Sequence, residues 1–335
     1  MKILVYDDSP DYGGHQIMAC LGIEALTSDP SIEVVCMFNP ANRKLRERLK
    51  DHTILQLTRN FQSLEVDKVL CIQGDVRQSF KGIDAAMQAD IECISYIAIP
   101  HRMAHMGAKL DALRDIGHRR LFNKPDRYIT ISESMKKLLI ERGARKPISV
   151  VPNGIQTPPA TPQNRSDIQT IGLLGRIEFN QKQQDFMVRT FLNHPKVFED
   201  CRLLIAGNGP DENKLKAMIA GNENIVMIPW QENPESFYEQ IDLLIIPSRY
   251  EGVPLVMLEA LARGIPVIGS DRDGMKDLLP HTWTFETENA DALIETFSHV
   301  RQTWQNEIDP LRQKVLSEHS LERFKVNFSK AVIGQ

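Results

Sequence analysis

Pro247-Ser248-Arg249-Tyr250-Glu251-Gly252-Val253-Pro254-Leu255-Val256-Met257-Leu258-Glu259-Ala260-Leu261-Ala262-Arg263-Gly264-Ile265-Pro266-Val267-Ile268-Gly269-Ser270 reads as a strand end, a loop, a helix, a turn and a second strand. The run Leu243-Leu244-Ile245-Ile246 ahead of it is short, apolar and stopped by Pro247, which marks a strand buried on both faces. Pro254 suits the first helical position, where a missing N–H costs nothing, and Gly264 suits the left-handed residue after the last turn. Ile265 to Ile268 then opens the next buried strand. Strand, helix and strand of this length make a parallel unit, in which ligands sit at the carboxyl ends of the strands. Glu251 lies at that end, and Glu259 follows eight positions later on the helix. First-turn N–H groups attract phosphate while carboxylates accept hydrogen bonds from hydroxyls, so the stretch suits a nucleotide-sugar. Two glutamates at a given spacing are also common on solvated surfaces, and the pair gains weight only from what surrounds it.

The chain has 335 residues, 42% apolar and 25% charged, enough for two globular domains with cores of their own. Its net charge of −4 is uneven: residues 1–150 carry 22 Lys/Arg against 19 Asp/Glu, and the remainder 18 against 25. The first half is therefore basic, but too mildly for a nucleic-acid partner. Cys20, Cys36, Cys71, Cys93 and Cys201 form no Cys-x-x-Cys pair and are odd in number, which argues against a disulfide framework or structural zinc and fits a reducing cytoplasm. The apolar run after Met1-Lys2 ends at Asp7-Asp8, too soon for a signal peptide, and no run is long enough to span a bilayer. A soluble, cytoplasmic protein is expected, with peripheral contact at the inner face of the membrane left open.

In the first half, Ile3 to Tyr6 reads as a buried strand and Gln16 to Leu26 as an amphipathic helix, with Asp11-Tyr12-Gly13-Gly14-His15 between them. Adjacent glycines at a strand-to-helix turn let backbone approach a ligand, although a tight turn without a ligand has the same composition. It is not the three-glycine dinucleotide fingerprint. Ile32 to Phe38, Val69 to Ile72, Ile91 to Ile97, Tyr128 to Ile131 and Ile148 to Val151 continue the strands, and Ser132 caps a helix over Glu133 to Arg142. His101 follows the strand that ends at Ile97 and can hydrogen-bond a sugar hydroxyl or a phosphate; His105 is its competitor, and a structural histidine is the plainer reading of either. Two basic clusters, Arg43 to Lys50 and a spread of Arg102, Lys109, Arg114, Arg119, Arg120, Lys124 and Arg127, read as solvated faces or as a surface for an anionic acceptor or lipid headgroups.

Pro152-Asn153-Gly154-Ile155 and Thr157 to Pro162 break the pattern and mark the domain boundary. Thr170 to Leu174 restarts the strands and leads into Gly175-Arg176-Ile177-Glu178-Phe179-Asn180-Gln181-Lys182, where a guanidinium and an ammonium at a strand's carboxyl end suit a diphosphate. Arg202 to Ala206, Gly207-Asn208-Gly209-Pro210, a helix over Asp211 to Ala220, and Ile225 to Ile228 follow. The expected fold is α/β, two doubly wound Rossmann-like domains facing a central cleft.

Laid out in this way, the chain resembles the family 4 retaining glycosyltransferases of GT-B fold over nearly its whole length. The resemblance rests on Glu251 and Glu259 in their Glu-Gly, Leu-Glu-Ala and Gly-Ile-Pro-Val setting, on Gly13-Gly14, Pro152-Asn153-Gly154, Gly175-Arg176 with Lys182, and Gly207-Asn208-Gly209-Pro210. It implies a first domain over residues 1–155 on the acceptor side, a nucleotide-sugar domain over 156–316, and a last helix within 317–335 that crosses back to the first domain. It implies that Arg176 and Lys182 hold the donor diphosphate, with Gly13, Gly14, Gly175, Gly252, Val253 and Pro254 around it. Glu251 then meets the transferred sugar, Glu259 the ribose, and His101 takes the place of the active-site histidine. Gln156, Asn208 and Asp277 depart from the family pattern and leave details of donor contact open.

The implied activity is hexosyl transfer with retention from a nucleotide-sugar to a glycan or lipid-linked acceptor in envelope polysaccharide synthesis, with no cofactor and no metal. An epimerase of similar shape and a sugar-nucleotide-binding protein without catalysis are the rival readings. Asp271-Arg272-Asp273 resembles the paired carboxylates with which metal-dependent sugar transferases of another fold hold a cation. Here the triplet sits between a strand and Gly274, reads as a turn, and has no further carboxylate or histidine cluster to complete a hard-cation shell.

Overall fold

The computed structural model describes residues 1–104, 106, 111–158, 167–230 and 233–334, with backbone only for 111–114. His105, Lys109, the Arg114 side chain and the linker residues Pro159 to Pro162 lie outside the described residues. The chain divides into two compact units, Met1–Gly154 with Leu321–Gln335, and Ile155–Ser320.

The first unit is built on β1 (Lys2–Asp7), β2 (Glu33–Phe38), β3 (Thr53–Leu55), β4 (Lys68–Gln73), β5 (Glu92–Ile97), β6 (Arg127–Thr130) and β7 (Ile148–Val150). They form one parallel sheet in the order β3-β2-β1-β4-β5-β6-β7. The second unit has β8 (Thr170–Leu174), β9 (Arg202–Ala206), β10 (Ile225–Ile228), β11 (Leu243–Ile246), β12 (Val267–Ser270) and β13 (Thr284–Phe285), parallel in the order β10-β9-β8-β11-β12-β13. Apart from β3 to β4, which a loop joins, helices link successive strands within each unit, so the central strands are buried on two faces and read as unbroken apolar runs.

Each order reverses once, between β1 and β4 and between β8 and β11. Loops leaving neighbouring strands part in opposite directions at such a point, which opens a crevice beyond the carboxyl ends. The segments after β1, after β8 and after β11 are the ones that carry Gly13-Gly14, Arg176 with Lys182, and Glu251.

The terminal helix Leu321–Ile333 belongs to the first unit, where it packs on helix Gly14–Thr27. Phe324, Phe328 and Val332 are fully buried, with Phe328 edge-on to Tyr96 at 5.5 Å between ring centres. Burial of each such side chain contributes about 1.5–3 kcal/mol. The end of this helix is closed by cations, which suit its dipole and its unpaired carbonyls. Arg127 donates to the carbonyls of Ala331 and Val332, and Lys68 to that of Ile333. Arg127 and Lys68 share Glu92, and Lys124 pairs with Asp84 while lying over the Phe80 ring. Two members of the second basic cluster, Lys124 and Arg127, are therefore engaged in holding the fold.

In the quoted stretch, the helix runs Leu255–Ala262 with Pro254 as its N-cap, one position earlier than expected, and Gly264 takes the left-handed conformation at φ +71°. The following strand starts at Val267, because Pro266 has no N–H to give the ladder and only its carbonyl joins, accepting from Leu244. All five cysteines are buried thiols. Among the described residues no helix is long and apolar enough to cross a membrane.

Candidate active site

Backbone pairing carries β8 and β9 past their ends into the loops that follow. Gly175 N–H donates to the Ala206 carbonyl at 3.0 Å and Ile177 N–H to that of Asn208 at 2.9 Å. The two loops touch so closely that a Cβ on Gly207 would collide with the Gly175 carbonyl oxygen, and Gly207 itself has φ +152°. Gly207→Ala is thus expected to cost roughly 1–3 kcal/mol in backbone strain and a similar amount in overpacking. Gly221→Ala is the control, since Gly221 at φ +80° has open space around it. Thermal unfolding of the two variants should separate them clearly.

Gln184, almost fully buried, holds the Arg176 loop from below. Its side-chain amide donates to the Arg176 carbonyl at 2.8 Å and its oxygen accepts from Glu178 N–H at 3.2 Å. Phe179 N–H donates to Asp211 at 2.9 Å. The Arg176 guanidinium, about half exposed, pairs with Glu178 and reaches Gln181 Oε1 at 3.5 Å. Lys182 ends the short helix Phe179–Lys182, and its ammonium pairs with Glu251.

The Phe179–Lys182 turn is joined to the loop after β11 by further bonds. Arg249 N–H donates to the Gln181 carbonyl at 2.8 Å, Gln181 Nε2 to the Tyr250 carbonyl at 3.3 Å, and the Arg249 guanidinium to Asn180. Glu251 is 5% exposed. Its N–H donates to Asp273 at 2.9 Å, and Gly274 N–H donates to the Gly252 carbonyl at the same distance. Asp271 pairs with Lys276 at 2.8 Å. The Asp271-Arg272-Asp273 carboxylates therefore serve separate partners, and among the described residues no cluster of three or more His, Cys, Asp or Glu is placed to hold a metal.

The arrangement brings Arg176, Lys182 and Glu251 together at the switch point of the second sheet. Helix Leu255–Ala262 begins beside them with no acidic side chain in its first turn, so the positive end of its dipole is not offset there. Glu259, half-buried on this helix, accepts from Tyr238 Oη at 2.5 Å. Burial raises the Glu259 carboxyl above its ordinary range, against the Tyr238 hydrogen bond and the nearby Arg263 charge. The Arg263 guanidinium lies 4.6 Å over the Tyr238 ring and pairs with Glu235. Gln184 and Tyr238 carry no sign in the sequence of a place at the site, and Asp273, read there as part of a turn, holds the backbone of Glu251 22 positions away.

In the first unit, Gly13 is the N-cap of helix Gly14–Thr27, and its N–H donates to Gln16 Oε1 at 2.8 Å. The Gln16 amide donates in turn to Asp7 at 3.2 Å, and Asp7 also accepts from Ser9 N–H at 2.8 Å. Asp7 and Gln16 are both buried, so the glycine loop is tied through one amide to the carboxyl end of β1. His101 is buried, in the segment after β5. Helix Arg43–Arg48 begins at Asn42, which donates to the Asp11 carbonyl at 2.6 Å, and it exposes Arg43, Lys44, Arg46 and Arg48.

Solved structures match the chain over its full length. One is the Anabaena protein HepE in complex with UDP, at a TM-score of 0.81 and 14% identity over 100% of both chains. Another is the apo form of the lipopolysaccharide outer core galactosyltransferase WaaB, at 0.75 and 20% over 100% of this chain and 99% of that one. Likeness at such identity shows the fold. The family model described as Glycosyltransferase Family 4 matches residues 79–157, and the one described as Glycosyl transferases group 1 matches residues 168–302.

The chain belongs to the glycosyltransferases of GT-B fold.

This glycosyltransferase is 26% identical to the lipopolysaccharide 1,6-galactosyltransferase of Escherichia coli K12 over 250 residues, covering 72% of this chain and 65% of that one. It is 28% identical to an uncharacterised glycosyltransferase of Haemophilus influenzae over 160 residues, 47% of this chain and 45% of the other. The chain spans less than half the length of the first three curated relatives it matches.

Proposed function

We propose that this chain transfers a hexosyl group, with retention, from a nucleotide-diphosphate sugar to a hydroxyl of a glycan or lipid-linked glycan in envelope polysaccharide assembly. The observation that carries the reading is the gathering of Arg176, Lys182 and Glu251 at one topological switch point, beside a helix start free of acidic residues. In this reading the bond between the sugar C1 and the diphosphate oxygen breaks as the acceptor oxygen bonds C1 on the same face, and the acceptor proton passes to the departing phosphate. Arg176, Lys182 and the first-turn N–H groups of helix Leu255–Ala262 stabilise the charge that grows on that phosphate. Glu251 binds the sugar and Glu259 the ribose. Gly13, Gly14 and His101 are the groups the first unit offers to substrate. The exposed cations of helix Arg43–Arg48 favour peripheral contact with an anionic membrane on its cytoplasmic side.

The test begins with thermal shifts against UDP, GDP and ADP, UDP being first because the matching HepE structures hold UDP or UDP-glucose. A nucleotide at a hundred times its Kd stabilises the protein by about 2.7 kcal/mol. Nucleotide release from UDP-glucose, UDP-galactose, GDP-mannose and ADP-glucose is then followed with and without oligosaccharide and glycolipid acceptors. Acceptor-dependent release is expected from one of them. Isomerised sugar without transfer, or tight binding without turnover, overturns the transferase reading.

A further inference from the structure

The segment that bears His101 leaves β5 and has no sheet partner of its own. Its backbone is held instead by one buried ion pair. Arg142, the C-cap of helix Glu133–Glu141, is 6% exposed. It donates through Nη1 to the carbonyl of Pro100 at 3.2 Å and to that of His101, and through Nη2 to Asp115 Oδ1 at 2.7 Å. The same Asp115 oxygen accepts from Met103 N–H at 3.1 Å. The guanidinium lies 5.0 Å over the Phe122 ring. One guanidinium and one carboxylate thus hold three backbone groups over residues 100–103.

We propose that Arg142 is a positioning residue that sets the backbone of His101 and, through it, the direction of its imidazole; this rests on the reading of His101 as an active-site group. Three facts favour it over a role in stability alone. A buried ion pair is a poor stabiliser compared with apolar packing of the same volume, so its retention calls for another reason. The planar fork reaches two consecutive carbonyls and a carboxylate at once, which an ammonium on a flexible stem cannot do. The contacts fall on the carbonyl of His101 itself, so loss of the fork removes a restraint on the backbone that aims its ring.

The test is a double-mutant cycle on the full chain with His101→Ala, Arg142→Lys and the pair, using whichever of UDP-glucose, UDP-galactose, GDP-mannose and ADP-glucose is turned over. His101→Ala and Arg142→Lys are each expected to lower kcat by ~10- to 100-fold with little change in donor KM, as misplacement of a reacting contact does. The double variant is expected to be no slower than His101→Ala, because Arg142 acts through a ring that is no longer there. Multiplying losses overturn the inference and make Arg142 a structural residue only. An unchanged rate in His101→Ala refutes the reading of His101 itself and removes the basis of the inference, and the two failures are distinct.

If Arg142→Lys does not fold, Asp115→Asn loosens the same clamp while keeping an acceptor oxygen, and the cycle is run with it. An arm independent of turnover follows the His101 Cε1–H resonance in 13C-histidine-labelled protein, assigned by its loss in His101→Ala. Arg142→Lys should shift it and leave that of His194, in the other unit, in place. An unmoved His101 resonance overturns the inference even if none of the four donors is used.

Discussion

Lys182→Ala is expected to lower kcat/KM for the nucleotide-sugar donor by about a hundredfold or more, the loss typical of a charge-stabilising group removed from a leaving oxyanion. The structure shapes the way this must be tested. The Lys182 ammonium pairs with Glu251, whose side chain is only 7% exposed, so truncation of the lysine leaves a nearly buried carboxylate without its cation. Breaking a pair of this kind by removing one partner costs up to about 3–5 kcal/mol. A loss of activity could then reflect an unsettled loop. The double variant Lys182→Ala/Glu251→Gln removes both charges and is expected to recover the thermal midpoint without recovering turnover. Arg176→Ala is the companion: its side chain is 49% exposed and pairs with Glu178, so its removal should leave stability nearly unchanged and still slow the reaction. Recovery of rate in the double variant would mean that Lys182 only neutralises Glu251, and the phosphate clamp would fall.

Much of the fold is legible in the sequence. The parallel sheets follow from apolar runs such as Leu243 to Ile246, because a strand covered by helices on both faces has no polar alternation to hide it. The turn glycine at 264 and the cap at Ser132 are local chemistry, and the structure bears them out within a residue. What escaped is of two kinds. Strands β3 and β13 are three and two residues long, too short for any period to show. Helix Ala290–Glu318 carries Pro310 in its interior, a residue that ordinarily argues for a break. At the candidate site, the motif residues can be picked out from the sequence, but the side chains that hold them cannot. Gln184, Asp273, Tyr238 and Arg142 act on backbone or carboxylates between 6 and 42 positions away. A single polar side chain in the sequence gives no sign of which distant carbonyl it will meet. The pairing of Lys182 with Glu251 is likewise a tertiary fact: the sequence offered one to phosphate and the other to sugar, and the fold sets them against each other.

Asp7→Asn is expected to remove a pH dependence from the stability of the first unit. Burial pushes the Asp7 carboxyl from 3.8 up to about 7, more than the hydrogen bonds from Ser9 N–H and the Gln16 amide draw it down, and the neighbouring Asp8 adds to the rise. Because the folded value lies above the unfolded one, the folded unit binds a proton that the unfolded chain has released. The stability this group contributes is therefore fully present below about pH 4 and is lost as the pH rises through about 7, by up to about 4 kcal/mol for a shift of this size. A chain of two units has no single unfolding free energy, so the measurement is amide hydrogen exchange in β1 and β4, corrected for intrinsic rates, between pH 5 and 8. Protection should fall with pH in the parent and stay level in Asp7→Asn; parallel trends in both would sink the prediction. The substitution also has a local cost, since an amide offers one acceptor oxygen to the two donors, Ser9 N–H and Gln16 Nε2, that the carboxylate now serves. Gln16 then loses the bond that turns its oxygen toward Gly13. Protection at Gly13 and Gly14 should consequently drop at every pH, even where that of β1 rises, because the same carboxylate burdens the sheet when ionised and holds the glycine loop in place.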